Sequence, residues 1–292
     1  ELIMKKTKSK IFYGWYIVLA GTLGMALSSG INYHGFGNMF LPLSKEFGWS
    51  RTRISTVFSL ARLENGILGP IDGYLIDKFG PRIVIVVGVP IMSIGYILLS
   101  KVDSFLSFSL VYIFGVTIGS GTLHTPIQTA VANWFNKKRG LAFGIMWSGV
   151  GIGGLIVPLY GWLIQVYGWR DTSIIIGFVI FLIGVPCGMV MRHNPYKYGD
   201  YPDGMKVSND TDNDSINPDD ESYTVKEALS SSSFWLLTMA TGLRILVTSG
   251  VSLHLVPFFV DMGISPVAAA GFAGSVGIMS IPGRFGLSTI GD

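Results

Sequence analysis

Apolar residues run along this chain in blocks of helix length, separated by short polar clusters. A membrane crossing needs about 20 mainly apolar residues. By that measure spans fall near 13–41, 54–77, 81–100, 104–134, 141–167, 171–191, 234–260 and 266–290. The connections are short except 192–233, where MRHNPYKYGDYP leads into NDTDNDSINPDDES. That acidic, Asn- and Ser-rich stretch cannot form a core and is expected to be flexible. The expected organisation is a six-helix transmembrane bundle over 1–191, a flexible acidic linker over 192–233, and two further helices over 234–292.

Composition agrees with an all-α membrane protein. Of 292 residues 49% are hydrophobic and 13% charged, about half the charged share of a soluble domain. The 38 glycines and 13 prolines would weaken soluble helices but are tolerated in lipid. The single cysteine, Cys187, excludes an intrachain disulfide. A net charge of +3 is too small to suggest nucleic acid as a partner. The first apolar run outlasts a signal-peptide core and reads as a retained helix.

Basic residues set the direction. With the N-terminus inside, inner segments hold thirteen Lys and Arg against five outside, and Arg62, Arg244 and Arg284 lie within spans. The expectation is a multi-pass protein of the cytoplasmic (inner) membrane with a cytoplasmic N-terminus. Segments also recur: FYGWYIVLAG opens span one and SFWLLTMATG opens span seven, while Gly73–Asp77 and Ser288–Asp292 close spans two and eight. The offset of roughly 215–220 residues fits a parallel duplication of six-helix halves. On that reading the chain holds one half and two helices of the next, and Met4 reads as a start codon position within a partial frame.

The stretch 61–82, ARLENGILGPIDGYLIDKFGPR, concentrates the chemistry. Ionised groups at bilayer depth are costly and usually line a solute path or pair across helices. Arg62 and Glu64 are about 200° apart on a helix and cannot pair with each other. Glu64 and Asp72 lie on adjoining faces, about 12 Å apart in rise. Interhelical ion pairs that fix the fold are the competing reading for all three. Gly73, Asp77, Lys78, Gly80 and Arg82 form a charged turn whose glycines permit close docking, and we expect a gating latch there, joined by Arg139. The stretch resembles the loop between helices 2 and 3 of the major facilitator superfamily of transporters.

Span five, GIMWSGVGIGGLIVPLYGWL, supplies a close-packing, bendable glycine face, similar to the glycine-rich fifth helix of that superfamily. His34, His124 and His254 read either as hydrogen-bonded interhelical histidines or as proton carriers. Arg284 and Arg244 fall near mid-depth, with His254 about 15 Å further out than Arg244. An arginine in an apolar helix suits a carboxylate. Together FYGWYIVLAG, PLSKEFGWSR, WFNKKRGLAFGIMWSGVGIGG and Gly283-Arg284-Phe285-Gly286 resemble the monocarboxylate-transporter and oxalate/formate-antiporter branch.

The resemblance implies the major facilitator fold and alternating access, with Arg284 on helix eight holding the substrate carboxylate. Tyr33, Asn38, His254 and Ser280 are the other expected substrate contacts. Animal members carry an aspartate where this chain has Ser280 and a helix-one lysine where it has Asn38. Proton coupling would therefore fall to Glu64, Asp72, His34 or His124. The expected activity is secondary active transport of small organic anions, monocarboxylates such as lactate or pyruvate, by proton-coupled symport. Organic-anion exchange of the oxalate/formate type is the alternative, and a transporter-like sensor is one of another class. The expected partners are a small carboxylate, protons under the symport reading, and lipid. No cofactor, metal or enzymatic chemistry is expected, because neither Gly-x-Ser-x-Gly nor His-Glu-x-x-His occurs.

Overall fold

The computed structural model describes residues 12–204, 225–280 and 282. Among these every regular element is helical. The first helix, α1 (Tyr13–Ser28), passes through a π turn at Ser29–Tyr33 and a 3₁₀ turn at Gly35–Met39 into α2 (Phe40–Phe47). Then come α3 (Arg51–Leu99), α4 (Phe105–Leu110), α5 (Ile118–Trp134), α6 (Arg139–Ile152) and α7 (Ile156–Val190). A short α8 (Val225–Ser230) precedes α9 (Ser232–Asp261) and α10 (Pro266–Met279). Five helical stretches are long and apolar enough to cross a membrane. The protein is an all-α membrane protein.

Two of those stretches are folded-back pairs. The backbone of α3 breaks at Gly80, with φ 79 and ψ 159, just before Pro81. Gly168 does the same in α7, with φ 80 and ψ 164. An L side chain rarely adopts that φ, so glycine turns the chain where one residue must reverse it. These glycines name the two ends of the bundle. At the Gly80 end, Tyr13 meets Trp134 with ring centroids 5.4 Å apart. At the Gly168 end, Trp49 stands edge-on to Phe105 at 5.4 Å.

Lipid offers no hydrophobic drive between helices, so close packing and interhelical hydrogen bonds hold them. Ser29 Oγ donates to the Val150 carbonyl at 3.0 Å and Ser93 Oγ to that of Gly177 at 2.8 Å. At the Gly168 end, Glu46 accepts from Trp169 Nε1 at 2.5 Å and from Arg170 Nη2 at 2.6 Å. Arg170 Nη1 also donates to the Ser100 and Val102 carbonyls at 2.7 and 3.0 Å. This one arginine therefore joins α2, the α3–α4 turn and α7.

The segment after α7 departs from the flexible linker expected over 192–233. Residues 192–204 are docked on the Gly80 end. Trp134 Nε1 donates to the Arg192 carbonyl at 3.0 Å and Asn133 Nδ2 to that of His193 at 2.9 Å. The Arg192 guanidinium lies 3.7 Å from the Tyr13 ring centroid and 4.2 Å from that of Tyr198. Asp203, at a left-handed φ of 58, accepts from the Asn136, Lys137 and Lys138 amides at 3.0, 2.7 and 3.1 Å. Those amides lie in the turn just before α6, whose N-cap is Lys138, so the carboxylate satisfies three loop N–H groups near the positive end of the helix dipole. A polar composition concealed these partners, which lie about 60 residues away in sequence. Residues 205–224 lie outside the described set.

Candidate functional site

A cavity of about 1010 Å³ lies between α1, α3, α5, α6, α9 and α10. Its wall on α3 runs from Phe58 through Ala61, Arg62, Gly66 and Gly69 to Asp72, tracking from mid-helix toward the Gly80 end. On the Gly168 side it ends in an aromatic cluster. Phe36 and Tyr112 each stand 4.8 Å or less from a neighbouring ring, and Phe58 meets Phe36 at 4.5 Å and Tyr112 at 4.8 Å.

Among the described residues three formally charged side chains line it: Arg62, Asp72 and Arg244. Asp72 is ten residues below Arg62, a rise of about 15 Å, too far for direct pairing along α3. Neither guanidinium takes part in an ion pair among the described residues. Arg62 rests over the Tyr33 ring, 4.9 Å from its centroid. The Tyr33 hydroxyl is 3.3 Å from Ser249 Oγ, which ties the bend of the first helix to α9. Ser28 Oγ and His124 Nε2, 2.9 Å apart, form a second polar pair on the wall. Asn32, also on the wall, accepts the Tyr96 hydroxyl proton through Oδ1.

Of the residues expected from sequence, Tyr33, Ser280, Asp72, His34 and His124 line this cavity. Asn38 and His254 do not line it. Asn38 is buried, and its amide donates to the Val157 carbonyl at 3.2 Å, joining the 3₁₀ turn to α7. His254 lies toward the Gly168 end of α9, with its ring 6.0 Å from Phe40. Its ten-residue rise above Arg244 is what separates it from the wall. Glu64 is not on the cavity wall. Both its carboxylate oxygens are enclosed by protein without a hydrogen-bond partner among the described residues. Arg284 lies outside the described residues.

Of the expected latch residues, Gly73, Asp77, Lys78 and Arg82 flank Gly80 along the chain, while Arg139 is the first residue of α6. Lys78 Nζ lies 3.4 Å from the Tyr74 hydroxyl and 5.4 Å from the Phe79 centroid, and Arg139 sits 5.9 Å from that of Phe143. Nothing stands within 4 Å of a methyl built on Gly73, and only His193 approaches Gly80. Asp77 and Arg82 are exposed. The opposite end is different. There Arg51 Nη1 and Nη2 donate to Asp261 Oδ2 and Oδ1 at 2.5 and 2.8 Å.

Sequence reasoning marked Arg62 and Arg244 as costly but assigned neither to a site. The available signal was polar residues four apart within apolar spans: Ser28 and Asn32, Ser120 and His124, Arg244 and Thr248. Each pair shares a helix face, and each lines this cavity.

Comparison with known proteins narrows the class. The chain is 30% identical over 183 residues to monocarboxylate transporter 13 of Rattus norvegicus, covering 62% of this chain and 42% of that protein. It is 30% identical over 176 residues to the oxalate:formate antiporter of Oxalobacter formigenes, covering 58% and 41%. Monocarboxylate transporter 12 of Xenopus laevis matches 99% of this chain at 26% identity, over 65% of its own length. The chain thus spans less than two thirds of each of these curated relatives. Residues 8–292 match the Major Facilitator Superfamily. The chain belongs to the major facilitator superfamily of transporters.

Proposed function

We propose that the protein is a secondary active transporter of small organic carboxylates, working by alternating access between its two helical groups. The observation that carries this reading is the cavity wall holding Arg62 and Arg244, two guanidinium groups without a carboxylate partner among the described residues. Both arginines are exposed at the cavity rather than buried in protein, and a guanidinium free to face a solute binds a planar carboxylate through paired charge-assisted hydrogen bonds. A small organic acid supplies that group and then leaves with it.

Proton-coupled symport of a monocarboxylate such as lactate or pyruvate is the first reading, supported by titratable side chains on the same wall. Arg284, by its place in the resemblance, is proposed as a further carboxylate anchor. We place the protein in the inner membrane with a cytoplasmic N-terminus, so that the Gly80 end faces the cytoplasm. Charge counting supports this. Exchange of organic anions, as in the relative named an oxalate:formate antiporter, is the second reading.

The test is uptake of labelled lactate, pyruvate, formate and oxalate by liposomes containing the full-length protein. Saturable uptake of at least one, lost in Arg62→Gln, Arg244→Gln or Arg284→Ala, supports the reading. Absence of uptake of every carboxylate removes it and favours a sensor. Comparing uptake with and without an imposed proton gradient separates symport from exchange.

A further inference from the structure

We infer that His124 carries the coupled proton, with Ser28 as its hydrogen-bond partner in both charge states. This rests on the symport reading above and assigns within it a role that four side chains could claim. Geometry separates them. Glu64 is off the cavity wall, with both oxygens enclosed and unpartnered. A proton there has no contact with the solute path. Asp72 is on the wall but about 15 Å of helix rise from Arg62, near the Gly80 mouth. That rise sets its carboxylate apart from an anion held at Arg62. His34 sits in the bend of the first helix, edge-on to Tyr33 at 5.0 Å, the ring over which Arg62 rests. That places it with the groups that hold the anion.

His124 has the setting a carrier needs. It lines the cavity at mid-depth on α5, and Nε2 lies 2.9 Å from Ser28 Oγ on α1. A hydroxyl both donates and accepts, so it meets the neutral ring as donor and the protonated ring as acceptor by rotating its own hydrogen. Gaining or losing the proton therefore leaves no orphaned nitrogen on that side. Helices α1 and α5 pack directly against each other, so the pair stays together while α9 and α10 move.

The other charged and titratable groups on the wall are Arg62 and Asp72 from α3, Tyr33 and His34 from the first-helix bend, Tyr112, and Arg244 from α9. A protonated imidazole adds a third positive charge to a cavity already holding two guanidinium groups. An anion bound among them offsets it, and this links the two loads. On one side a hydronium ion in the cavity water gives its proton to the ring nitrogen, breaking an O–H bond, forming N–H and leaving water; on the other side the N–H bond breaks and the proton forms an O–H bond on water.

The experiment compares two modes of transport by the full-length protein in liposomes, with labelled pyruvate and labelled lactate as probes. Accumulation driven by a proton gradient needs the carrier to load and unload. Exchange of internal for external substrate does not. His124→Gln is expected to lower gradient-driven accumulation by about tenfold or more while exchange stays within about twofold of wild type. Ser28→Ala should displace the pH profile of gradient-driven uptake, and Ser28→Thr, which keeps a hydroxyl, should restore it. Asp72→Asn and Glu64→Gln should each retain the gradient response. Full gradient-driven accumulation in His124→Gln overturns the assignment, as does loss of it in Asp72→Asn or Glu64→Gln with exchange intact. Wild-type exchange without any gradient response also overturns it and leaves carboxylate transport standing. Failure of both modes in wild type for every carboxylate removes the functional reading itself.

Discussion

Arg51 and Asp261, 210 residues apart in sequence, form a two-pronged ion pair that closes the Gly168 end between α3 and α9. Both side chains are about half exposed, at 42% and 53%. An ion pair in that setting contributes about 0–1 kcal/mol. It is strong enough to bias one arrangement and weak enough to be broken in each cycle. The cavity wall leads toward the other end, where Asp77 and Arg82 are exposed. This is the geometry of a transporter closed at one side.

Breaking that pair should therefore act on access rather than on folding. Arg51→Ala and Asp261→Ala are each expected to raise the rate at which a cysteine at Thr248 is alkylated from the Gly168 side. The double exchange Arg51→Asp with Asp261→Arg should bring the rate back. Thermal stability should change by no more than about 1 kcal/mol. Equal alkylation rates in all four proteins would count against a gate.

Gly154 and Gly274 meet where α10 crosses the turn between α6 and α7, and a methyl built on Gly277 would stand 3.4 Å from both Gly151 and Gly154. A methyl built on either Gly154 or Gly274 runs into the other's carbonyl. This contact crosses between the two groups of helices that alternating access moves. Gly154→Val should thus impair turnover severalfold by overpacking at a cost of about 1–3 kcal/mol, while Gly271→Val, which has open space around it, should not. Equal turnover in the two variants would contradict the role.

Asp203 accepts from three consecutive amides in the turn that leads into α6. Its replacement by alanine is expected to cost about 1–2 kcal/mol, read as a lowered unfolding temperature in detergent. Asn should cost less, because one acceptor oxygen remains. No loss with either variant would mean that the docked segment 192–204 contributes nothing to the fold.

Arg170 makes four hydrogen bonds, two to Glu46 and two to backbone carbonyls. Lysine keeps the charge but cannot span that fork. Arg170→Lys should therefore destabilise by about 1–3 kcal/mol, close to the effect of Arg170→Gln. A fully stable lysine variant would show that charge alone suffices.

The spans were legible because a bilayer demands apolar blocks of fixed length, and the Gly80 turn was legible because glycine before proline reverses a helix. The bend at 29–39 was not, since it arises from packing around Gly30 and Gly35 rather than from a proline. Segment 192–204 was misread because composition reports the absence of a core, not the presence of a docking surface. The cavity was half visible. Each arginine announced its cost, but Arg62 and Arg244 are 182 positions apart in the chain, and only the fold shows that they share a wall. Asn38 and His254 lie off this wall for a common reason: a polar residue in a span is as readily consumed by an interhelical contact as offered to a solute.

The central claim is that an organic carboxylate occupies the space between Arg62 and Arg244. Thr248, on the wall one turn from Arg244, gives direct access to it as a cysteine in a background lacking other cysteines. Millimolar pyruvate, lactate, formate or oxalate should slow alkylation there severalfold for at least one compound, and Arg62→Gln should abolish that protection. Alkylation indifferent to all four anions, or protection unchanged without Arg62, would contradict the account.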